Sequence, residues 1–224
     1  MHAESEFMRL AQAHPLKHPK LRQALVFLLA GWSGFYVMAV ELLSGRLIAP
    51  TFGNSIYVWG GIITVFMLAL SLGYLLGGQF SLQRPSLRRL GVILIVAGLS
   101  TLPVVALGDP ILNWLFDHIA DPRYGTLAAS TALFFVPTVI SGMVSPYAIR
   151  LLVRQLAQSG KSAGRLYFVS TFGSAAGTLM TSFYLVLWFE LTQIYLGLIA
   201  VSVLLGIAAL PFGEVVHDKE AGHA

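Results

Sequence analysis

A chain of 224 residues that is 56% hydrophobic and 11% charged, with a mean hydropathy of +0.76, departs from the roughly one-quarter charged composition of soluble domains. That composition predicts an all-α fold, a polytopic integral membrane helix bundle, and a soluble catalytic domain of about 100–150 residues would not fit beside the spans. The absence of cysteine excludes disulfides and thiol chemistry, and the net charge of +4 does not signal nucleic acid, because the basic residues sit at the ends of apolar runs.

Residues 1–23 read as a cytoplasmic tail, not a cleaved signal, since the apolar stretch begins only after Gln23 and outruns a signal core. On the scale of about 20 apolar residues per span, residues 24–210 divide into six transmembrane helices: Ala24–Leu47, Tyr57–Gly77, Leu90–Leu107, Gly125–Ile149, Leu166–Trp188 and Thr192–Leu210. Residues 211–224 form a second tail. Of the 14 lysines and arginines, all but Arg46 and Arg123 then lie on one side, which by the positive-inside rule places both termini in the cytoplasm.

The first span carries Glu41, about 26 Å along the helix and near the outer edge of a hydrocarbon core about 30 Å thick, with Arg46 beyond it. An ionisable group at that depth costs roughly 2.5–3.5 kcal/mol, so it seeks a partner, a cavity or the headgroups. Glu41 could hold a cationic ligand, pair with Arg46, or snorkel with it to the headgroups. The link to the second span ends in Tyr57 and Trp59, residue types common at the interface. In the second span Gly73 and Gly77 form a GxxxG pair suited to close helix packing.

Between the third and fourth spans, Asp109-Pro110 resembles an N-cap followed by proline at the first helical position. A short interfacial helix over residues 109–122 is the expectation, lying on the outer surface. Pro137 should kink the fourth span, which leads through Ser145 and Tyr147 to Arg150 and Arg154. With Arg165 across the following loop, these residues make a candidate cytoplasmic docking surface. In the fifth span Tyr167, Thr171, Ser174, Thr178 and Thr181 recur at steps of four and three on one helical face. They could line a polar path, while Gly173 and Gly177 beside them form a second packing pair.

The outer side holds Glu41, Asp109, Asp117, Asp121 and Glu190, an acidic set that could concentrate cations. The histidines lie in tails or, for His118, a loop, so no metal site is expected. GxGxxG, GxxxxGK, HExxH and GxSxG patterns are absent. Neither a catalytic residue nor a cofactor is expected in this chain.

Four segments carry a family resemblance: ELLSGRLIAPTFGNSIYVW from Glu41 to Trp59, GYLLGG from Gly73 to Gly78, GMVSPYAIRLLV from Gly142 to Val153, and AGRLYFVSTFGSAAGT from Ala163 to Thr178. In this order they resemble the membrane half of bacterial transmembrane spermidine/spermine synthase-like proteins, also described as fused major-facilitator/spermidine-synthase proteins. The family adds a soluble half resembling S-adenosylmethionine-type methyltransferases and aminopropyltransferases, which would bind decarboxylated S-adenosylmethionine and use acidic residues on the amine acceptor. That half has no counterpart after the sixth span, and FELTQIY stands where the family's glycine-plus-arginine turn is expected. GGQFSLQRPSLRRLG is similar to a major-facilitator loop but lacks its aspartate.

The resemblance implies a multi-pass subunit of the bacterial inner membrane, in contact with membrane lipid, that anchors a separate soluble spermidine-synthase-like protein and admits an amine. A homodimer transporting polyamines or other solutes through twelve helices is the second expectation. A structural subunit of a larger membrane complex is the third.

Overall fold

The structure, a computed structural model, describes residues 19–82, 85–153 and 159–212. Most of both predicted tails, the tail histidines and the docking candidate Arg154 lie outside the described residues. Among the described residues every regular element is a helix. Helix α1 spans Pro19–Phe52, α2 Ile56–Phe80, α3 Leu87–Leu99, α4 Leu102–His118 and α5 Pro122–Gly142. There follow α6 Val144–Leu152, α7 Ser159–Met180, a π-helical turn Thr181–Leu185, α8 Val186–Trp188 and α9 Leu191–Ala209. Five helical stretches are long and apolar enough to cross a membrane: Lys20–Phe52, Ile56–Phe80, Leu87–His118, Pro122–Leu152 and Leu191–Ala209.

Helix α1 runs past its expected end at Leu47, through Pro50, because its stop signal is Gly53. Gly53 adopts φ 86° and donates its N–H to the Ala49 carbonyl at 2.9 Å, a left-handed cap that glycine provides without strain. The separate helix expected over residues 109–122 is not formed. Helix α4 starts at Leu102, with Pro103 in its first turn, and carries Asp109 and Pro110 inside it. The following helix starts at Pro122, with the Asp121 carboxylate accepting the Arg123 N–H at 2.9 Å.

The third and fourth apolar stretches are each broken. At Ser100 and Thr101 the backbone leaves the α pattern, and Thr101 donates to Gly98 at 3.1 Å. The Ala97 carbonyl thereby loses its in-helix donor and accepts hydroxyls instead, from Ser100 at 2.7 Å and from Tyr36 and Thr101 at 3.4 Å each. Pro137 stays within α5, and the α pattern breaks after Gly142. Here Ser33 of α1 donates to the Ser141 carbonyl at 3.2 Å, and Ser141 Oγ to Pro137 at 2.8 Å. Irregular backbone at membrane depth needs such internal partners, because hydrocarbon supplies none.

Glycines let three helix pairs approach closely. A Cβ on Gly173 would run into the Gly31 carbonyl oxygen, and one on Gly177 would lie 2.9 Å from Phe35 Cα, so α7 lies flush on α1. A Cβ on Gly77 would lie 2.6 Å from Met143 Cα, seating α2 on the break between α5 and α6. Gly91 and Gly206 bring α3 against α9. The two GxxxG pairs are thus packing surfaces.

Two apolar clusters fill the bundle. One joins Tyr36, Val40, Leu43, Ile62, Phe66, Phe134 and Tyr195; the other joins Val26, Leu29, Leu87, Leu90, Tyr147 and Leu166. Outward-facing positions stay apolar as well, with Met67 64% and Leu204 65% exposed, as a lipid-facing surface requires.

Candidate functional site at the Glu41 face of the first helix

Glu41 lies on the same face of α1 as Val37, Ser44, Gly45 and Ile48, all buried. The carboxylate itself is half-buried. One turn further, Gly45 meets the Trp59 indole, and a Cβ there would lie 2.8 Å from Cζ2 of that ring. Only a glycine lets the ring come this close to the helix. The indole N–H donates to Asn54 Oδ1 at 2.6 Å, fixing the plane of the ring. Glu41 thus stands one helical turn from the glycine on which the Trp59 indole packs.

Arg46 is exposed and makes no ion pair with Glu41 among the described residues. Five residues on a helix turn the side chain by about 140°, so the two groups leave α1 in different directions. Tyr57 is 59% exposed, and its ring lies beneath the Arg123 guanidinium, 5.0 Å from the centroid. Arg123 also reaches the Asp121 carboxylate at 3.6 Å. It was not singled out in the sequence, because only folding brings the start of α5 over the start of α2.

The polar face of the fifth apolar run is graded in burial. Tyr167 and Thr171 are exposed, Ser174 and Thr178 half-buried, and Thr181 buried. Ser174 and Thr178 donate to carbonyls of their own helix, at 3.2 Å to Ser170 and 3.0 Å to Ser174. Thr181 opens the π-helical turn, and its hydroxyl has no hydrogen-bond partner among the described residues.

The docking candidates divide similarly. Tyr147 is wholly buried, and its hydroxyl accepts the Ser86 N–H at 3.1 Å, so it ties α6 to the start of α3 and presents no surface. Ser145 and Arg150 are half-buried, and among the described docking candidates only Arg165 is exposed. Among the described residues no group of three His, Cys, Asp or Glu side chains is placed to hold a metal ion.

No family model, curated protein or solved structure matches the chain.

Proposed function

We propose that this chain is a multi-pass inner-membrane subunit of a spermidine-synthase-like system, anchoring a soluble aminopropyltransferase on its cytoplasmic face and holding an amine at Glu41. In this reading Ser159–Trp188 is a further span, giving six with both termini inside. The π-helical turn interrupts its α pattern without ending the helical rod. The observation that carries the reading is the half-buried Glu41, without an ion pair among the described residues, one turn from the glycine on which the Trp59 ring packs. A protonated amine supplies the charge that the carboxylate lacks, and the indole face adds a cation–π contribution of about 0.5–2 kcal/mol.

A hydrogen bond to a charged group is worth about 1.5–3 kcal/mol, so Glu41→Gln should weaken spermidine binding to the purified protein by roughly ten-fold or more. Unchanged binding by calorimetry in lipid nanodiscs removes Glu41 from the reading. The partner is tested by mild-detergent purification from the native host, with an aminopropyl-transfer assay on the eluate. A clean, inactive homo-oligomer counts against an associated synthase.

Solute transport is the second reading, and the pattern of helix pairs favours it. Counting six rods, the close pairs are first with fifth, second with fourth and third with sixth. That set is unchanged when the first three rods are exchanged with the last three, as in transporters built from inverted repeats. Uptake of labelled spermidine into proteoliposomes would establish this reading, and its absence would retire it.

A further inference from the structure

At the N-terminal ends of α1 and α7 a groove of 410 Å³ is lined by Phe27, Gly164, Arg165, Phe168 and Val169. The two helices run parallel in fixed register, Gly31 beside Gly173 and Phe35 beside Gly177. They touch closely along that stretch and still meet at Leu166, buried in one cluster with Val26 and Leu29, while Gly164 lies on the far side of its helix, where a Cβ would meet nothing within 4 Å. Phe168, 70% exposed, forms one wall. Four of the five lining residues are apolar or glycine, and the fifth is an arginine with no hydrogen-bond or ion-pair partner among the described residues.

Positive charge gathers at this end. Lys161 precedes Arg165 by one turn of the same helix. The α1–α7 register, continued downward, sets Arg22 at the level of Gly164. An apolar slot opening sideways beneath basic side chains at a helix end has the chemistry of a lipid: hydrocarbon below, phosphate above. A soluble anion would gain nothing from Phe27 or Phe168, and a docking protein would have to reach below the headgroups to touch them.

We propose that this groove is a binding site for an anionic phospholipid, with an acyl chain against Phe27, Phe168 and Val169 and the phosphate on Arg165. The proposal rests on the membrane location alone and is independent of amine binding at Glu41.

The test is native mass spectrometry of the purified full chain titrated with phosphatidylglycerol or phosphatidylcholine, alongside glycerophosphoglycerol as the free headgroup. Phosphatidylglycerol should be retained in preference to phosphatidylcholine, and glycerophosphoglycerol should not displace it. Arg165→Gln should lower phosphatidylglycerol occupancy about five-fold, the worth of one basic side chain at an anionic surface. Arg88→Gln, an exposed arginine at the start of α3, should leave occupancy unchanged. Gly164→Leu projects into open space and improves helix propensity, so the protein stays folded while the slot is filled and retention of both lipids falls. Wild-type occupancy in Arg165→Gln or in Gly164→Leu overturns the proposal. Displacement by glycerophosphoglycerol overturns it in favour of a soluble-anion site. Loss of a co-purifying soluble protein from Arg165→Gln, with lipid occupancy unchanged, overturns it in favour of a protein-docking face.

Discussion

Replacing Gly173 by alanine should pry α1 and α7 apart. The added methyl would run into the Gly31 carbonyl oxygen and lie 2.8 Å from its carbonyl carbon and 3.1 Å from its Cα, where ordinary contact begins at 3.4 Å. The obstacle is backbone on both sides, so no rotamer change relieves it and the helices must separate. A radial gap of about 0.5–1 Å forfeits a quarter to a half of the dispersion energy across the contact, and overpacking of this kind costs about 1–3 kcal/mol. Because the clash is with main chain, the upper part of that range, about 2–3 kcal/mol, is expected. For a chain of this size that is a Tm lower by roughly 4–12 °C. The control is Gly78→Ala on α2, whose Cβ would meet nothing within 4 Å and which should gain about 0.5–1 kcal/mol of helix propensity. Thermal unfolding of both variants in the same detergent, followed by circular dichroism, gives the comparison. Equal stability of the two would refute the assigned α1–α7 contact.

Tyr36 and Tyr195 are both buried, yet among the described residues only Tyr36 has side-chain hydrogen-bond partners. Tyr36→Phe should cost about 1 kcal/mol, whereas Tyr195→Phe should stabilise by a similar amount by removing an unpaired buried hydroxyl; equal losses in unfolding assays would contradict this. Arg123→Gln should change stability by less than about 0.5 kcal/mol, since the Arg123 and Asp121 side chains are 64% and 41% exposed. Asp121→Ala should cost about 1 kcal/mol because it removes the N-cap of α5, and a melt ranking these two in the reverse order would show that the ion pair, not the cap, holds this turn.

The apolar runs made the helical membrane architecture legible, because a stretch of about 20 such residues has few other stable uses. Gly73, Gly77, Gly173 and Gly177 announced their packing role by spacing alone. The breaks were not legible. Pro137 marked a kink by residue type, but nothing in the sequence marked the break after Gly142, where Ser33 of a distant helix reaches the Ser141 carbonyl. Asp109-Pro110 has the chemistry of a helix start, and a helix already under way from Leu102 carries it along. For the candidate site, the sequence supplied Glu41 and Trp59 but not their relation, which depends on α2 folding back so that the indole lands on Gly45. Tyr147, read as surface, is buried because its hydroxyl serves the Ser86 backbone.

Both broken rods are stitched to a single neighbour. Tyr36 bonds at the α3–α4 break and Ser33 at the α5–α6 break, and on α1 these residues are separated by about 4.5 Å of rise. Turning α1 about its axis would therefore bear on both breaks at once. Glu41 sits on the same helix, a little more than one turn beyond Tyr36.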